Sequence, residues 1–284
     1  MTQKGFEVLN SLIQSRKNQL IDFICIGKDV NLEDDFSDKI KELCQIHSIT
    51  YFFKESLSEK AINSDFYISI SWRWLIHLPN LIIIHDSILP KYRGFAPLVN
   101  MLINGENEIG ATALFATEEY DKGEILAQEK IAIRYPITIA EAIDVVGNLY
   151  VKLVNEIITQ CVSNNFHPRQ QDEKEVTYSL WLDQDDYFID WSWTAEKIKR
   201  KIDACGFPYT GAKTILENEI IVIDKAEIED DVQIENRTVG KVIFVKNCCP
   251  VIVCGKGLLR LTAARNINTK ENILPLVKFR LKFK

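Results

Sequence analysis

Residues 80–94, NLIIIHDSILPKYRG, decide how this chain is read. Positions 81–84 are all apolar, which is the signature of a strand buried on both faces. The run stops at His85, and Pro90 and Gly94 then force an irregular loop. In α/β sheets, ligands bind outside the carboxyl ends of the strands. His85 stands at such an end, and it is one of four histidines in the chain, at 47, 77, 85 and 167. A lone histidine in an apolar setting more often serves structure than chemistry, so a polar partner from another strand end is what would tip the balance. Asp121 offers one, in the turn TEEYDKGEIL (117–126), although Asp-x-Gly is also an ordinary turn former.

Strand and helix patterns alternate on either side of this stretch. Phe6, Leu9, Leu12 and Ile13 recur at helical spacing, and LIDFICIG (20–27) is a buried-strand run. A helix over 35–48, strands over 49–53, 65–72 and 80–85, a helix near 95–104, strands over 111–117 and 124–133, and a helix over 138–161 complete the series. Strands alternating with helices predict a parallel or mixed sheet covered on both sides, a Rossmann-like α/β domain over 1–162. The polar, aperiodic segment 163–179 reads as a linker. In 180–284 one helix (194–205) precedes β patterns at 219–228, 240–247, 250–264 and 276–284, with a hairpin signal at Gly255-Lys256-Gly257. A small β-barrel-like domain behind one helix is the economical reading.

Composition narrows the function classes. At 284 residues and 46% apolar the chain can bury a substantial core, and two domains are expected. A net charge of −6 gives no general attraction to nucleic acid or anionic lipid. The seven cysteines are scattered without a CxxC pair and read as reduced, pointing to the cytoplasm. The opening helix pattern lacks the core of a signal peptide, and no apolar run is long enough to span a bilayer, so no membrane partner is expected. A zinc hydrolase fails for want of HExxH or paired histidines, so no metal is expected. A dinucleotide oxidoreductase fails for want of an early GxGxxG.

The run 85–128, HDSILPKYRGFAPLVNMLINGENEIGATALFATEEYDKGEILAQ, resembles the core of the folate-dependent formyltransferases. That family includes enzymes acting on methionyl-tRNA and on sugar nucleotides. His85, Ser87, Leu89, Pro90, Arg93, Gly94, Pro97, Gly110, Thr112, Asp121 and Gly123 match its pattern in order. Asp190, Trp191, Pro208, Gly211 and Ala212 are similar to the start of its second domain, so the resemblance implies the family fold over nearly the whole chain. Two departures stand out. Family members open with a strand before the first helix, so here that strand is absent or replaced by another segment. The family also has Asn two residues before the histidine, where this chain has Ile83.

The resemblance implies transfer of a formyl group from N10-formyl-tetrahydrofolate, a co-substrate, to a primary amine. Asn and His would serve as oxyanion donors and Asp would orient the His, so His85 and Asp121 are the expected catalytic pair. Losing one such donor costs about 10²–10³ in rate, roughly 2.7–4 kcal/mol. Asn80 lies about 10 Å up the strand and cannot replace it, whereas Ser87 could donate. The resemblance places the folate against Trp72, Arg73, Trp74, Leu75, Leu89, Thr117, Glu118, Glu119, Tyr120 and Asp121. It places the acceptor against Ser87, Lys91, Arg93 and Gly94. Both tryptophans could equally be core packing and Arg93 a loop brace. Loop 27–39, where tRNA enzymes of the family carry basic residues, has five acidic residues against two lysines. That disfavours tRNA, because phosphate neutralisation dominates RNA affinity. A nucleotide-linked amino sugar is therefore the expected partner, with methionyl-tRNA or a non-catalytic folate-binding protein as alternatives. A homodimer is compatible with all three. The basic C-terminal strand pattern is also how an edge strand is protected from aggregation.

Overall fold

The computed structural model describes residues 2–29, 34–56, 63–276 and 278–284. The chain forms two compact units. One comprises residues 1–98, 108–133 and 141–180, the other 99–107, 134–140 and 181–284.

In the first unit, α1 (Gln3–Gln14) buries Val8, Leu9 and Leu12, which its 3.6-residue period brings to one side. Strands β1 (Ile24–Ile26) and β2 (Tyr51–Phe53) pair in parallel, joined by α2 (Ser37–Ile46). Leu9, Ile26, Ile40, Cys44 and Ile49 make the core beneath them. Next along the chain come β3 (Tyr67–Ile70), β4 (Leu81–His85), β5 (Arg93–Gly94), α3 (Pro97–Asn104, of which 99–104 belong to the second unit), β6 (Glu108–Phe115), β7 (Ile125–Ala132) and α4 (Ile139–Ser163, in the first unit from 141 onward). A second sheet has the order β3-β4-β6-β7, with β3 and β4 parallel and the remaining pairs antiparallel. Along α4, Ala142, Val146, Leu149, Leu153 and Ile157 recur at helical spacing and are all buried.

Two features differ from the sequence expectation. The sheet is not continuous: β1-β2 and β3-β4-β6-β7 are separate pieces, and no described segment joins them. The segment 163–179 is not a free tether either. Its β8 (Tyr178–Ser179) pairs in parallel with β5, and Ile125 and Arg169 exchange two backbone hydrogen bonds of 2.8 Å. A polar, aperiodic stretch can be ordered when its side chains and backbone satisfy loops elsewhere.

The second unit holds α5 (Ala195–Cys205) and five antiparallel strands: β9 (Ala212–Leu216), β10 (Glu219–Glu229), β11 (Val242–Lys246), β12 (Cys249–Val253) and β13 (Leu258–Asn266). Thr194 caps α5 by accepting the Lys197 backbone N–H. Trp191 donates its indole N–H to Thr214 Oγ1 at 3.0 Å in the buried interior. The sheet order is β11-β12-β13-β10-β9, an open arrangement in which the edge strands β11 and β9 do not pair, so no closed barrel is present among the described residues. Among the described residues of 276–284 no strand forms, only an isolated bridge between Lys282 and Lys241. Pro275 supplies no N–H, and the last residues run irregularly with Leu281 and Phe283 buried. They bond to both edges: Val242 N–H donates to the Leu281 carbonyl, and Lys284 exchanges hydrogen bonds with Ile215. No helix of the described chain is long and apolar enough to cross a membrane.

Candidate active site

His85 closes β4 with its side chain 8% exposed. Its Nε2 donates to the Tyr92 carbonyl at 2.8 Å, which fixes the ring. Its Nδ1 lies 3.5 Å from Asp121 Oδ2, longer than a hydrogen bond. The Gly94 N–H donates to that same Oδ2 at 2.8 Å. The structure thus joins the two residues expected to be catalytic, from the end of β4 and the β6–β7 turn.

Local backbone geometry makes this approach possible. Tyr92, Gly94, Ala96 and Asp121 all have positive φ, a cluster that most side chains resist. A Cβ on Gly94 would sit 2.6 Å from the Ser179 carbonyl, and one on Gly123 would sit 1.7 Å from the Phe115 carbonyl. Only glycine fits either place.

Arg93, expected to touch the acceptor, is completely buried. Its Nε and Nη2 donate to Gln171 Oε1 at 3.0 and 2.8 Å, and Nη2 also donates to Glu173 at 2.9 Å. The hydrogen bond from Arg93 holds the Glu173 carboxyl below its usual range. Gln171 in turn donates to the Asp121 and Gly123 carbonyls, both at 2.7 Å. The backbone N–H groups of Tyr92, Arg93 and Phe95 donate to Thr177 Oγ1, the Thr177 carbonyl and the Ser179 carbonyl. Residues 171–179 therefore brace both loops of the site. Sequence reading missed them because nothing in a polar stretch without periodicity marks which side chains face inward.

Further expected contacts are corrected by burial. Ser87 is fully buried and donates its hydroxyl to the Lys91 carbonyl at 2.8 Å, so it offers no donor to an oxyanion. Gly94 remains at the site, but its N–H is committed to Asp121. Leu89 packs in the core with Leu114 and Ile125, and its backbone is held by Thr112 and Gln128. Ile83 packs on that same core cluster. It points to the same side of β4 as His85, since side chains two apart share a face. Lys91 is exposed.

The remaining expected residues fall into two groups. Trp72 and Trp74 form a T-shaped pair with centroids 5.0 Å apart, and Trp74 packs so closely on Gly27 that a Cβ there would lie 2.4 Å from the ring. The buried Trp72 Nε1 has no protein partner, a donor that a heterocyclic ligand could satisfy. Arg73 pairs with Asp29 at 2.7 Å, and Leu75 is exposed. In the other group, Thr117 Oγ1 donates to the Glu119 carbonyl and Glu119 pairs with Lys122. Glu118 is exposed, and exposed Tyr120 meets Phe95 edge-on with ring centroids 5.4 Å apart. No described hydrogen bond or ring contact joins 71–76 to 116–121.

Behind the site, Asp86 is ion-paired with Lys4 from α1, and the Tyr150 hydroxyl of α4 lies 2.5 Å from its Oδ1. Burial pushes the Asp86 carboxyl up, but the Lys4 charge and hydrogen bond, with help from Tyr150, outweigh it and hold it low. Burial pushes the Cys44 and Cys205 thiols up to about 11, which leaves them poor nucleophiles. No three His, Cys, Asp or Glu side chains among the described residues are grouped to hold a metal.

Comparison with known proteins agrees with this layout. The profile described as formyl transferase matches residues 69–158, and that described as formyl transferase, C-terminal domain, matches 182–273. A methionyl-tRNA formyltransferase of Carboxydothermus hydrogenoformans is 35% identical over 161 residues, 57% of this chain and 51% of that protein. One from Clostridium novyi is 30% identical over 231 residues, 80% of this chain and 69% of that protein. Among solved structures, an N-formyltransferase of Helicobacter canadensis in complex with folinic acid and dTDP-3-aminofucose superposes with a TM-score of 0.69 at 16% identity. The alignment covers 92% of this chain and 96% of that one, a likeness of fold. The chain spans roughly half to two thirds of the length of the first curated relatives it matches.

Proposed function

The chain belongs to the formyl transferase family, and from that premise we propose that it moves a formyl group from N10-formyl-tetrahydrofolate to the primary amine of a nucleotide-linked sugar. The observation that carries the reading is the His85, Asp121 and Gly94 constellation at the end of β4.

In such a transfer the amine nitrogen attacks the formyl carbon, the carbonyl oxygen becomes an oxyanion, and the bond to N10 breaks. Nδ1 of His85 is the ring nitrogen not bound to backbone, so it is the one free to serve the reaction. Protonated, it donates to the oxyanion while Asp121 balances its charge. Neutral, it takes the proton that the amine sheds, which then passes to N10 as the leaving nitrogen. Gly94 holds the Asp121 carboxylate in place, and Arg93 acts one step removed by fixing the loop. Ile83 supplies no amide, so the site works with one oxyanion donor fewer than the family pattern implies. The unpartnered Trp72 indole N–H is suited to the polar edge of a pterin.

The acceptor reading rests on charge. In loop 27–39 Asp29 pairs with Arg73 and Asp34 with Lys39, while Asp35 and Asp38 have no described ion pair and leave the described loop with excess negative charge. The remaining expected loop residues, 30–33, lie outside the described residues. Such a surface repels a phosphate backbone. The curated relatives favour the second reading, methionyl-tRNA as acceptor.

Single-turnover assays with N10-formyl-tetrahydrofolate and either dTDP- and UDP-linked amino sugars or methionyl-tRNA separate the two. Faster transfer to an amino sugar supports the first reading, and faster transfer to methionyl-tRNA replaces it with the second. Binding of the folate with no transfer to either would make the chain a folate-binding protein.

A further inference from the structure

The His85 imidazole stands between two carboxylates. Asp121 faces it from the β6–β7 turn, with Oδ2 3.5 Å from Nδ1, and Asp86 follows it at the end of β4. Successive side chains at a strand end turn to opposite sides. His85 turns to Asp121, while Asp86 turns to α1 and α4, where Lys4 and Tyr150 meet it. The side chains of His85, Asp121 and Asp86 are 8%, 11% and 21% exposed, so solvent screens their charges poorly. Against the burial that raises the Asp86 carboxyl, Lys4 lowers it most, then Tyr150, then the charge of His85. The ring and Asp86 therefore act on each other across the strand end.

The transfer asks His85 to donate to an oxyanion and also to take a proton from the amine. Two ionised carboxylates beside one imidazole would hold it as the imidazolium and block the second task. Lys4 changes that balance. Its ammonium is ion-paired with Asp86 Oδ2, its side chain is 7% exposed, and it lies 5.1 Å over the Tyr150 ring. Tyr150 cannot supply the same charge. Burial, with the Asp86 charge next, pushes its hydroxyl well above the usual phenol range, so it stays a neutral donor 2.9 Å from the Ile84 carbonyl and 2.5 Å from Asp86 Oδ1. The titratable groups in play are thus Asp121 and Asp86 around His85, and Lys4, Tyr150 and His85 around Asp86. Glu7, one turn along α1, and Asp144 of α4 are further carboxylates on the Lys4 side.

Resting on the transfer reading, we propose that Lys4 is a positioning residue of the reaction. It holds Asp86 against α1 and α4 and cancels its charge, so that Asp121 alone biases His85 and the ring can pass between donor and base.

The test compares the full chain with Lys4→Met, Asp86→Asn and the double variant. One readout is the NMR titration of the His85 ring, assigned by the resonance that His85→Ala removes, and it needs no substrate. The other is the pH profile of kcat/KM for transfer from N10-formyl-tetrahydrofolate to whichever acceptor the wild type uses. Lys4→Met strands a carboxylate beside the ring, so His85 should titrate at higher pH, by about half a unit or more. Asp86→Asn strands an ammonium instead and should move the titration down by a similar amount. The double variant restores the wild-type charge balance and should return to the wild-type midpoint, as should Lys4→Arg. The rate profile should follow the ring in each case. A purely structural role would lower kcat without moving the midpoints in opposite directions, and that result would overturn the proposal. So would a double variant whose midpoint stays with either single one. If Lys4→Met does not fold, Asp86→Asn and the double variant still carry the comparison. Should the wild type transfer to no acceptor, opposite ring shifts would still support control of His85 by the pair and overturn only the transfer reading.

Discussion

Replacing Lys4 by Met tests the electrostatic support behind His85. Lys4 and Asp86 have side chains only 7% and 21% exposed, so removing the ammonium leaves a carboxylate stranded in the interior. Breaking a buried pair from one side costs about 3–5 kcal/mol. Asp86 keeps some solvent contact and the Tyr150 hydroxyl at 2.5 Å, so about 2–4 kcal/mol is the magnitude expected at pH 7. Met keeps the apolar stem of Lys4, which limits any packing contribution.

The pH dependence has a definite sign. In the wild type the Asp86 carboxyl is held low, so its stabilisation is complete above the unfolded value and is lost only as pH falls through the folded one. In Lys4→Met the lowering influence of the ammonium is gone and burial dominates, pushing Asp86 up. The variant's penalty is then present at neutral pH and shrinks as acidification protonates Asp86. Urea denaturation of both proteins at pH 7 and about pH 4.5, with Lys4→Met/Asp86→Asn as the double variant, reads this directly. The double variant should recover most of the loss. A single-variant cost under about 1 kcal/mol, additive with Asp86→Asn, would show that the pair is effectively solvated and refute the reasoning.

His85→Ala should lower formyl transfer about 10²–10³-fold while its urea midpoint shows a loss of no more than about 2 kcal/mol. Ile83→Asn restores an amide beside His85 and should raise the transfer rate. Because it sets a polar group on Leu89, Leu114 and Ile125, it should also cost about 2–4 kcal/mol, measured by denaturation. Gln171→Ala removes both 2.7 Å bonds to the Asp121 turn and should cut turnover at least about tenfold with little change in global stability. Trp191→Phe deletes a buried hydrogen bond to Thr214 and should cost about 1–2 kcal/mol with the transfer rate unchanged.

The strands and helices of the first unit were legible because burial on both faces and the 3.6 period leave direct traces, as in 81–84 and along α4. His85 and Asp121 were legible as residue types at strand ends. What could not be read was orientation within the loops. Ser87, Leu89 and Arg93 sit in the motif like ligand contacts, yet the side chains of all three are buried. Long-range pairing was equally hidden. Nothing local to Gln171 says that it meets Arg93, which lies 78 positions earlier. Nor does alternation in 219–264 say whether an antiparallel sheet closes, since closure depends on whether its first and last strands meet. At the C-terminus, alternating Leu281 and Phe283 did mark which residues are inward, and nothing local said that the segment would bond to Gly240 and Ile215 on two different edges.

The bracing of the site by residues 171–179 bears on how such a protein could be rebuilt. A chimaera made to change acceptor preference would naturally be cut in the polar stretch that follows α4, since that is where composition marks a joint. A cut there would import the donor protein's version of Gln171, Glu173 and Thr177 and set it against this chain's Arg93 and Asp121. The graft would then fold and still be inactive, with every catalytic side chain present. The transferable boundary falls after Ser179, so the stretch that looks most replaceable is inherited with the first unit.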